Sequence, residues 1–408
     1  MKKILFLITQ DLESPSGLGR YLPMAREMVA LGFSISIAAL HSNYDSLRTK
    51  RFRLDGVEIN YVAQMHVIKK GNQKQYYSSV RLLFITLNAF LKLLIAALTT
   101  PADIIYIGKP HPMNSLSGLL MKYIFRKTVY LDCDDYEIGV NHFQNVLQQK
   151  IVSFFEQVIP QLVDYITTNT YFTRSRLLAM GIPATKIFYL PNGVDRQRFQ
   201  AIELDLIEKI RSDLGLERKR VVAYIGTIGL SAHPINLLLE AFVKVASAVP
   251  NSILLLVGGG EDYSKMKLEA CRLGIDNKVL MTGRIPSEKV GIYYKIAHVS
   301  IDPVYADNAA KGRSPLKMLE SWVSEVPFIT SNVGDRTLLA GNPPAALFAK
   351  PGDADSLAEA IIRVLSSEKL SAELVRLGRE RVEQLFWDRI MANCQKIFTK
   401  DDFDNKGL

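Results

Sequence analysis

The chain has few cysteines, and nothing in their spacing ties them together. Only three occur among the 408 residues, Cys133, Cys271 and Cys394, and long stretches of sequence separate them. Cysteines placed this way provide neither a disulfide framework nor the paired spacing of a zinc site. We therefore expect a protein of a reducing compartment, located in the cytoplasm.

Two further absences narrow the functional class. The chain has no run of Lys and Arg with interleaved aromatic residues, so we do not expect a nucleic-acid partner. No Gly-x-Gly-x-x-Gly sequence stands at a strand-to-helix turn, which argues against a nicotinamide-dependent dehydrogenase. The net charge is nevertheless +9. In a large enzyme this charge indicates an anionic substrate or an acidic membrane surface.

One long apolar stretch stands out, Val80 to Leu98, and it is interrupted by Arg81, Asn88 and Lys92. A membrane-spanning helix needs about 20 mostly apolar residues, so this stretch is marginal. We favour a helix packed on a sheet. A helix lying in a lipid monolayer is the second interpretation, with peripheral contact at the inner membrane face. A transmembrane span is the third.

The rest of the chain alternates strands and helices in two rounds. Lys3 to Ile8 is an apolar strand, followed by Gly17-Leu18-Gly19, a helix and the strand Ser34 to Ala39. The pattern restarts at Val221 after a polar stretch, with a second glycine loop at 226–229. This order is typical of α/β proteins with doubly wound parallel sheets. We predict one domain over 1–200, a second domain over 201–380, and a final helix with a tail over 381–408.

In the first half, polar residues follow predicted strands. His111 comes after the strand that ends at Gly108, where the carboxyl ends of strands line a ligand crevice. A surface-loop histidine is an equal alternative. Asp132, Asp134, Asp135 and Glu137 follow another strand. They could bind acceptor hydroxyls, hold a cation or cap the next helix. The stretch Lys69 to Ser79 is basic and aromatic, and we expect it to face solvent.

In the second half, Ser314 to Ser331 combines a helix start with a short strand. Ser314 is a favourable N-cap and Pro315 suits the first helical position. The free N–H groups and the dipole of such a helix start can bind a phosphate. Lys317 and Glu320 are three residues apart, so they share a helix face. That face could offer a cation to a phosphate and a carboxylate to sugar hydroxyls. An ordinary capped amphipathic helix is an equal alternative.

Taken in order, these motifs resemble the retaining glycosyltransferases of family 4. The resemblance runs along almost the whole chain. It rests on these stretches: Gly17-Leu18-Gly19, Pro191-Asn192-Gly193-Val194-Asp195, Tyr224-Ile225-Gly226, Leu237 to Phe242, Val257-Gly258-Gly259-Gly260, Gly283-Arg284 and Leu319-Glu320 with Val326-Pro327. The family implies the GT-B fold, in which two Rossmann-like domains with doubly wound parallel sheets face a central cleft.

The resemblance also implies roles for particular residues. Glu320 would hold the ribose hydroxyls of a nucleotide-diphosphate sugar. Other donor-side positions are Gly17, Gly19, Gly226, Thr227, Gly229, Gly258, Arg284, Ser314, Pro315 and Leu316. His111 and Asp134 would lie near a saccharide or lipid-linked acceptor. No metal and no cofactor besides the donor are expected, because helix dipoles and cations can hold the diphosphate.

The sequence departs from the family at two places. The family's first glutamate, eight positions before Glu320, is replaced by Gly312. The glycine loop has Thr227 where the family has an arginine, and no lysine follows before Pro234. Charge on a departing diphosphate must be met by preorganised donors. We therefore hypothesise that Lys311, Arg313 and Lys317 take over this task, with Arg313 and Lys317 as catalytic residues.

The function expected from this resemblance is transfer of a hexosyl or N-acetylhexosaminyl group, with retention, in polysaccharide or glycoconjugate biosynthesis. Two alternatives stay open. One is a non-catalytic partner subunit, which the missing glutamate favours. The other is a nucleotide-sugar epimerase or hydrolase, for which only the 132–137 segment offers acid and base groups.

Overall fold

The computed structural model describes residues 1–141, 143, 145–200 and 202–399. It divides into two compact units. Unit 1 comprises 1–69, 75–193 and the chain from Trp387 onward, and unit 2 comprises 70–74 and 194–386. The boundaries thus fall after Gly193 and Phe386, where the sequence suggested 200 and 380. The tail predicted at the end of the chain, residues 400–408, lies outside the described residues.

Unit 1 is an α/β unit built on an eight-stranded sheet in the order β10-β9-β8-β7-β1-β2-β4-β3. The strands are β1 Lys3–Ile8, β2 Ser34–His41, β3 Arg51–Leu54, β4 Val57–Gln64, β7 Ile104–Gly108, β8 Thr128–Cys133, β9 Tyr165–Thr168 and β10 Ile187–Tyr189, with the hairpin strands β5 Val67–Lys70 and β6 Gln73–Tyr76 apart from the sheet. The helices are α1 Leu22–Ala30, α2 Ser79–Thr99, α3 Pro112–Tyr123, α4 Glu137–Val140, α5 Val146–Leu162 and α6 Tyr171–Ala179, and α17 Trp387–Cys394 joins them near the end of the described chain.

The pairing of this sheet confirms the predicted parallel, doubly wound pattern. β1 pairs in parallel with β2 on one side and with β7 on the other. The strand order therefore reverses between β1 and β7, and only the edge pair β3–β4 is antiparallel. Ligands of such sheets bind outside the carboxyl ends of the strands at this switch point.

Successive side chains along the strands of unit 1 point to opposite faces of the sheet, and each face has its own hydrophobic core. Leu5 and Leu7 pack with α2, α3 and α5 on one face. Ile4, Phe6 and Ile8 pack with α1 and α17 on the other. Because both faces are covered, the strands are apolar throughout, as expected for a parallel sheet.

Unit 2 repeats this architecture with a six-stranded, fully parallel sheet in the order β13-β12-β11-β14-β15-β16. The strands are β11 Arg220–Ile225, β12 Ser252–Val257, β13 Val279–Gly283, β14 Val299–Ile301, β15 Phe328–Ser331 and β16 Leu347–Ala349. The helices are α7 Gln197–Gln200, α8 Leu204–Asp213, α9 Ile235–Ala248, α10 Tyr263–Arg272, α11 Val290–Ile296, α12 Asn308–Gly312, α13 Leu316–Val323, α14 Arg336–Ala340, α15 Ala354–Ser366 and α16 Glu368–Val382. Its switch point lies between β11 and β14.

The stretch around 69–79 forms the hairpin strands β5 and β6, and the tip at 70–74 belongs to unit 2. Much of the stretch is exposed, as its polar composition predicted. At the tip, the Asn72 carbonyl accepts from the Gly260 N–H at 2.8 Å, and its side-chain oxygen accepts from the Arg284 N–H at 2.8 Å. The hairpin itself was not predicted.

Candidate functional site

A buried charged cluster lies at the switch point of unit 2. Asp302 follows β14, and its carboxylate is 2.9 Å from Arg336 Nη2 and 3.2 Å from Lys317 Nζ. Thr330, on the neighbouring strand β15, donates to the Asp302 carbonyl oxygen at 2.9 Å. The aspartate therefore anchors two cations at the carboxyl ends of the strands, where ligands of such sheets bind.

Lys317 lies directly against the glycine loop that follows β11. A Cβ added on Gly226 would stand 2.7 Å from Lys317 Cε, and Gly226 has a φ of +154°. Glycine is therefore required here both by backbone conformation and by the approach of the lysine. The Lys317 ammonium also lies 5.2 Å from the centre of the Tyr224 ring, a favourable cation–π distance. A cation from α13 is thus brought to the loop in which Thr227 stands.

Two further side chains complete this cluster. Arg313 Nη1 donates to the Ala232 carbonyl, while its buried Nη2 donates to no described atom. His233 Nδ1 is 3.5 Å from Lys317 Nζ. Lys311, the third cation of the sequence hypothesis, makes no side-chain contact with this cluster among the described residues. The structure therefore brings together Arg313 and Lys317, and it leaves Lys311 out.

The electrostatics of the cluster favour an anion. Burial lowers the pKa of His233 well below its usual value, and Lys317 and Arg313 lower it further, so the ring is neutral at pH 7. Burial acts to raise the pKa of Asp302, but Lys317 and Arg336 hold it well below its usual range. Three cations thus surround one carboxylate. Positive charge therefore exceeds the negative charge of Asp302 here, and the cluster can attract an anion.

The helix start differs from the predicted one by one residue. Helix α13 begins at Leu316, and the preceding Pro315 has non-helical backbone angles of −83° and 72°. Ser314 is buried and does not cap the helix with its side chain; its carbonyl accepts from the Leu316 N–H at 3.0 Å. The side chain of Lys317 projects from the first turn of the helix.

Glu320 lies apart from the cationic cluster. Its carboxylate accepts from Tyr294 OH at 3.2 Å and from Arg198 Nη1 at 3.4 Å, and its side chain is 16% exposed. Lys317 and Glu320 therefore have different partners, although three residues separate them in the chain. The ribose-binding role of Glu320 stays a prediction.

The remaining donor-side predictions fall on the loops around β11, β12 and β13. The Thr227 carbonyl accepts from Tyr224 OH at 2.8 Å. A Cβ on Gly258 would lie 2.0 Å from the Gly226 oxygen, and one on Gly229 would lie 2.5 Å from the Glu261 carboxylate. Arg284 Nε donates to the Gly71 carbonyl at 3.0 Å. Close packing of the loops requires glycine at 258, where the neighbour is backbone, whereas at 229 the neighbour is the end of a side chain.

A second polar cluster lies at the switch point of unit 1. His111 precedes α3; its Nδ1 is 2.7 Å from Thr9 Oγ1 and its Nε2 is 3.1 Å from Glu137 Oε2. Lys109 is buried, with Nζ against Asp135 and 3.3 Å from Glu137. His111 is therefore held in a hydrogen-bond network and is not a surface-loop histidine. Asp135 and Glu137 form internal ion pairs with Lys109, and the roles predicted for the acidic residues stay predictions.

The other two acidic residues of this segment have different environments. Asp132 is fully buried and receives two hydrogen bonds from Arg20, at 2.6 and 2.7 Å. Asp134 accepts from Asn169 Nδ2 at 2.6 Å and is 3.7 Å from Lys109 Nζ. Burial and the neighbouring charge of Asp135 raise the pKa of Asp134 to about 6. Asp134 is thus the carboxyl of this cluster that can exchange a proton near neutral pH.

Gly17 and Gly19 do not form the expected open loop. They belong to one wide helical turn, Gly17–Tyr21, that runs into α1. A Cβ on Gly17 would lie 2.5 Å from the Asp11 carbonyl oxygen. The Gly19 carbonyl accepts from Trp387 Nε1 at 3.0 Å. Close approach of the chain to itself accounts for Gly17, and a role toward a donor stays a prediction.

The raised pKa of Asp134 gives a testable consequence for stability. Because its pKa is higher in the folded state than the usual 3.8, ionisation opposes folding, and stability is lost as the pH rises from about 4 to 6. We expect Asp134→Asn to be more stable than wild type at pH 8 by on the order of 2 kcal/mol, with no gain at pH 4. Urea unfolding at both pH values measures the difference.

Asp55→Asn is the matched control, because Asp55 forms an exposed pair with Arg26. Its effect should stay within about 1 kcal/mol at both pH values. An Asp134→Asn protein that is less stable than wild type at pH 8 would show that pairing with Lys109 and Arg20 outweighs burial.

Sequence reasoning missed several residues of both clusters. They are Thr9, Arg20, Lys109, Asn169, Asp302 and Arg336. Four of them could have been recognised by their position in the sequence. Each directly follows a strand of a parallel sheet: Thr9, Lys109, Asn169 and Asp302. A polar residue at that place lines the ligand crevice. Among the described residues, no group of three or more His, Cys, Asp or Glu side chains is arranged to hold a metal ion.

Comparison with known proteins agrees with this architecture. The family described as "Glycosyl transferases group 1" matches residues 207–381. A GDP-mannose-dependent alpha-(1-6)-phosphatidylinositol monomannoside mannosyltransferase of Mycobacterium tuberculosis is 26% identical over 245 residues, covering 59% of this chain and 62% of that protein. The alignment thus spans less than two thirds of this relative's length.

Solved structures extend the likeness to nearly the whole chain. A sucrose-phosphate synthase from Thermosynechococcus elongatus has a TM-score of 0.76 at 17% identity, covering 98% of this chain and 99% of the other. Anabaena HepE in complex with UDP and glucose has a TM-score of 0.73 at 16% identity, covering 98% and 100%. The fold is therefore GT-B. Residues 207–381, less than half of the chain, are similar to the group 1 glycosyltransferase family.

Proposed function

We propose that this protein is a glycosyltransferase that moves a sugar from a nucleotide-diphosphate sugar to a saccharide or lipid-linked saccharide acceptor, with retention. The observation that carries the proposal is the cationic cluster of Lys317, Arg313 and Arg336 around Asp302 at the unit 2 switch point. Similarity to the group 1 glycosyltransferases supports the reaction class, and the charge of the cluster supports a diphosphate site there.

The chemistry asked of the cluster is charge stabilisation. As the bond between sugar C1 and the diphosphate oxygen breaks, its electron pair stays with the leaving nucleoside diphosphate. Lys317 and Arg313 face that added negative charge from a buried, prearranged position. This allows the loop to function with Thr227 in place of the family's arginine. Because protein cations provide this charge, we expect transfer to continue in the presence of a chelator.

Acceptor-side roles are proposed for His111 and Asp134 of unit 1. The raised pKa of Asp134, about 6, suits a group that takes up or releases a proton near neutral pH. His111, held between Thr9 and Glu137, offers a ring in a fixed orientation for a sugar hydroxyl. Both ring nitrogens of His111 already have protein partners, so a sugar hydroxyl would have to replace one of them.

No feature described in either unit identifies the base or the sugar of the donor. One relative is named for GDP-mannose and one solved structure holds UDP and glucose, and both statements concern those proteins. The test is therefore a panel of UDP- and GDP-sugars with saccharide and glycolipid acceptors. Formation of a product with the donor's anomeric configuration, read by NMR, is the expected result.

A second candidate is a non-catalytic partner subunit. Gly312, the last residue of α12, is buried where the family has its first glutamate, so this position has no carboxylate. Glu320 also has two protein partners already. A partner protein would bind an acceptor without hydrolysing or transferring any donor in the panel. Inverted anomeric configuration would instead overturn the retaining assignment alone.

A further inference from the structure

Three helices of unit 1 form a single layer on one face of its sheet. α2 contributes Ala89 and Leu93 to the core beneath, α3 contributes Met113, and α5 contributes Ile159. α2 packs beside α3, and α3 beside α5. The outer sides of all three helices therefore belong to one continuous surface, which we name the α2–α3–α5 face.

The outer side of this layer is apolar to an extent unusual for solvent-exposed helices. Val80, Leu83 and Phe84 of α2 are 66–70% exposed. The other large apolar residues exposed here are Leu87, Leu91, Ile95 and Leu98 of α2, Leu116 and Tyr123 of α3, Ile124 and Phe125 after it, and Val146, Leu147, Ile151 and Phe154 of α5. Contiguous exposed apolar surface of this kind marks a binding surface.

The exposed apolar residues of α2 form a stripe along the helix that is separate from the core. At about 100° per residue, its seven exposed apolar residues fall within a sector of about 120°. The buried residues Ala89, Leu93, Ala96 and Ala97 lie on the opposite side. By length and composition alone, α2 is the one helix among the described residues that could cross a membrane. Its alanine side, however, packs on the sheet, which leaves the stripe free to lie along a surface.

The charges of the same helices have one sign. α2 has the exposed cations Arg81 and Lys92 and no acidic residue, and α5 has the exposed Lys150. The single acidic residue within the three helices is Glu156, which is buried and paired with Arg176. Lys122 of α3 pairs with Asp164 just outside them. The face therefore combines apolar residues with flanking positive charge.

We propose that the α2–α3–α5 face docks on an anionic lipid monolayer, with α2 lying in the plane of the interface. An apolar stripe flanked by cations is the arrangement of interfacial helices, whose cations reach anionic headgroups while the stripe contacts acyl chains. The main competing occupant is a second copy of the chain. A two-fold interface would bring two positively charged faces together without exposed acidic partners, so charge favours the lipid.

Vesicle flotation tests the proposal on the full chain. We expect wild type to float with vesicles of phosphatidylcholine and phosphatidylglycerol (3:1), and to float far less with phosphatidylcholine alone. Leu87→Glu/Leu91→Glu should lower the fraction bound at least about tenfold, because two apolar contacts become charged. Leu268→Glu/Leu338→Glu is the matched control, since these exposed leucines lie in unit 2, and it should bind as wild type does.

Charge-reversal variants test the contribution of the cations separately from that of the apolar residues. Lys92→Glu/Lys150→Glu should remove the preference for anionic vesicles, and added salt should have the same effect on wild type. Equal binding of wild type and Leu87→Glu/Leu91→Glu, or no binding of wild type to either vesicle, overturns the proposal.

Light scattering in the absence of lipid tests whether the face instead binds a second copy of the chain. A wild-type dimer that Leu87→Glu/Leu91→Glu converts to a monomer would assign the face to self-association and overturn lipid docking. Circular dichroism checks that the variants stay folded, as expected for substitutions at exposed positions. Nucleotide binding by the same variants should be unchanged, so the result stands apart from that of the proposed reaction.

Discussion

Replacing Lys317 by methionine is expected to lower turnover about 100- to 1,000-fold, the usual cost of losing one preorganised donor to a developing negative charge. Methionine keeps much of the side-chain stem that packs over Gly226 and Tyr224, so the change removes charge more than volume. Asp302 keeps its pairing with Arg336 at 2.9 Å, so we expect the variant to fold. Transfer rates at saturating donor measure the effect.

Two companion variants define the cluster. Arg313→Ala should lower turnover by a similar factor, because the buried Nη2 of Arg313 has no described partner and is available to an anion. Lys311→Ala is the matched control, since Lys311 is close in sequence but outside the cluster, and its turnover should stay within about threefold of wild type. Unchanged turnover in both Lys317→Met and Arg313→Ala would contradict the idea that these cations replace the family's loop cations.

Replacing Arg20 by methionine is expected to destabilise unit 1 by about 3–5 kcal/mol, because it leaves the fully buried Asp132 without its cation. The substitution also removes the donors to the Leu190 carbonyl and to Asn192 Oδ1, at 3.1 and 2.7 Å. Arg26→Met is the matched control. Its pair with Asp55 is partly exposed, so we expect a loss of no more than about 1 kcal/mol.

Because the chain has two units, the unfolding signal must report unit 1. The two tryptophans make this possible: Trp387 belongs to unit 1 and Trp322 to unit 2. In a Trp322→Phe background, fluorescence in urea follows Trp387 alone. A similar midpoint for Arg20→Met and Arg26→Met would contradict the assigned role of the Arg20–Asp132 pair.

Much of the fold could be predicted from the sequence because hydrophobic periodicity decides it locally. Lys3–Ile8 and Ser252–Val257 are strands with the predicted bounds, since apolar runs between polar turns permit little else. The hairpin at β5 and β6 was not predicted. Its strands are polar and short, and the bonds that hold Asn72 come from residues about 200 positions away.

The candidate site was predictable in its residue types but not in its pairings. The cations Arg313 and Lys317 were recognised from their place at a helix start. Asp302, the partner of Lys317, follows a different strand, and only the sheet order brings it to the lysine. Similarly, two carboxylates of the acidic segment after β8 form ion pairs with Lys109 of the chain itself. Local sequence does not encode contacts of this kind, because they depend on strand order.

The most direct test of the central claim is a calorimetric titration of the full chain with UDP and with GDP, using the monophosphates as references. We expect one of the two diphosphates to bind, and its monophosphate to bind more weakly, because the second phosphate adds the charge that we propose the cationic cluster to bind. Lys317→Met should weaken that binding at least about tenfold, the loss of one charged hydrogen bond. If neither diphosphate binds wild type, or if Lys317→Met binds as tightly as wild type, the cluster is not a nucleotide-sugar site.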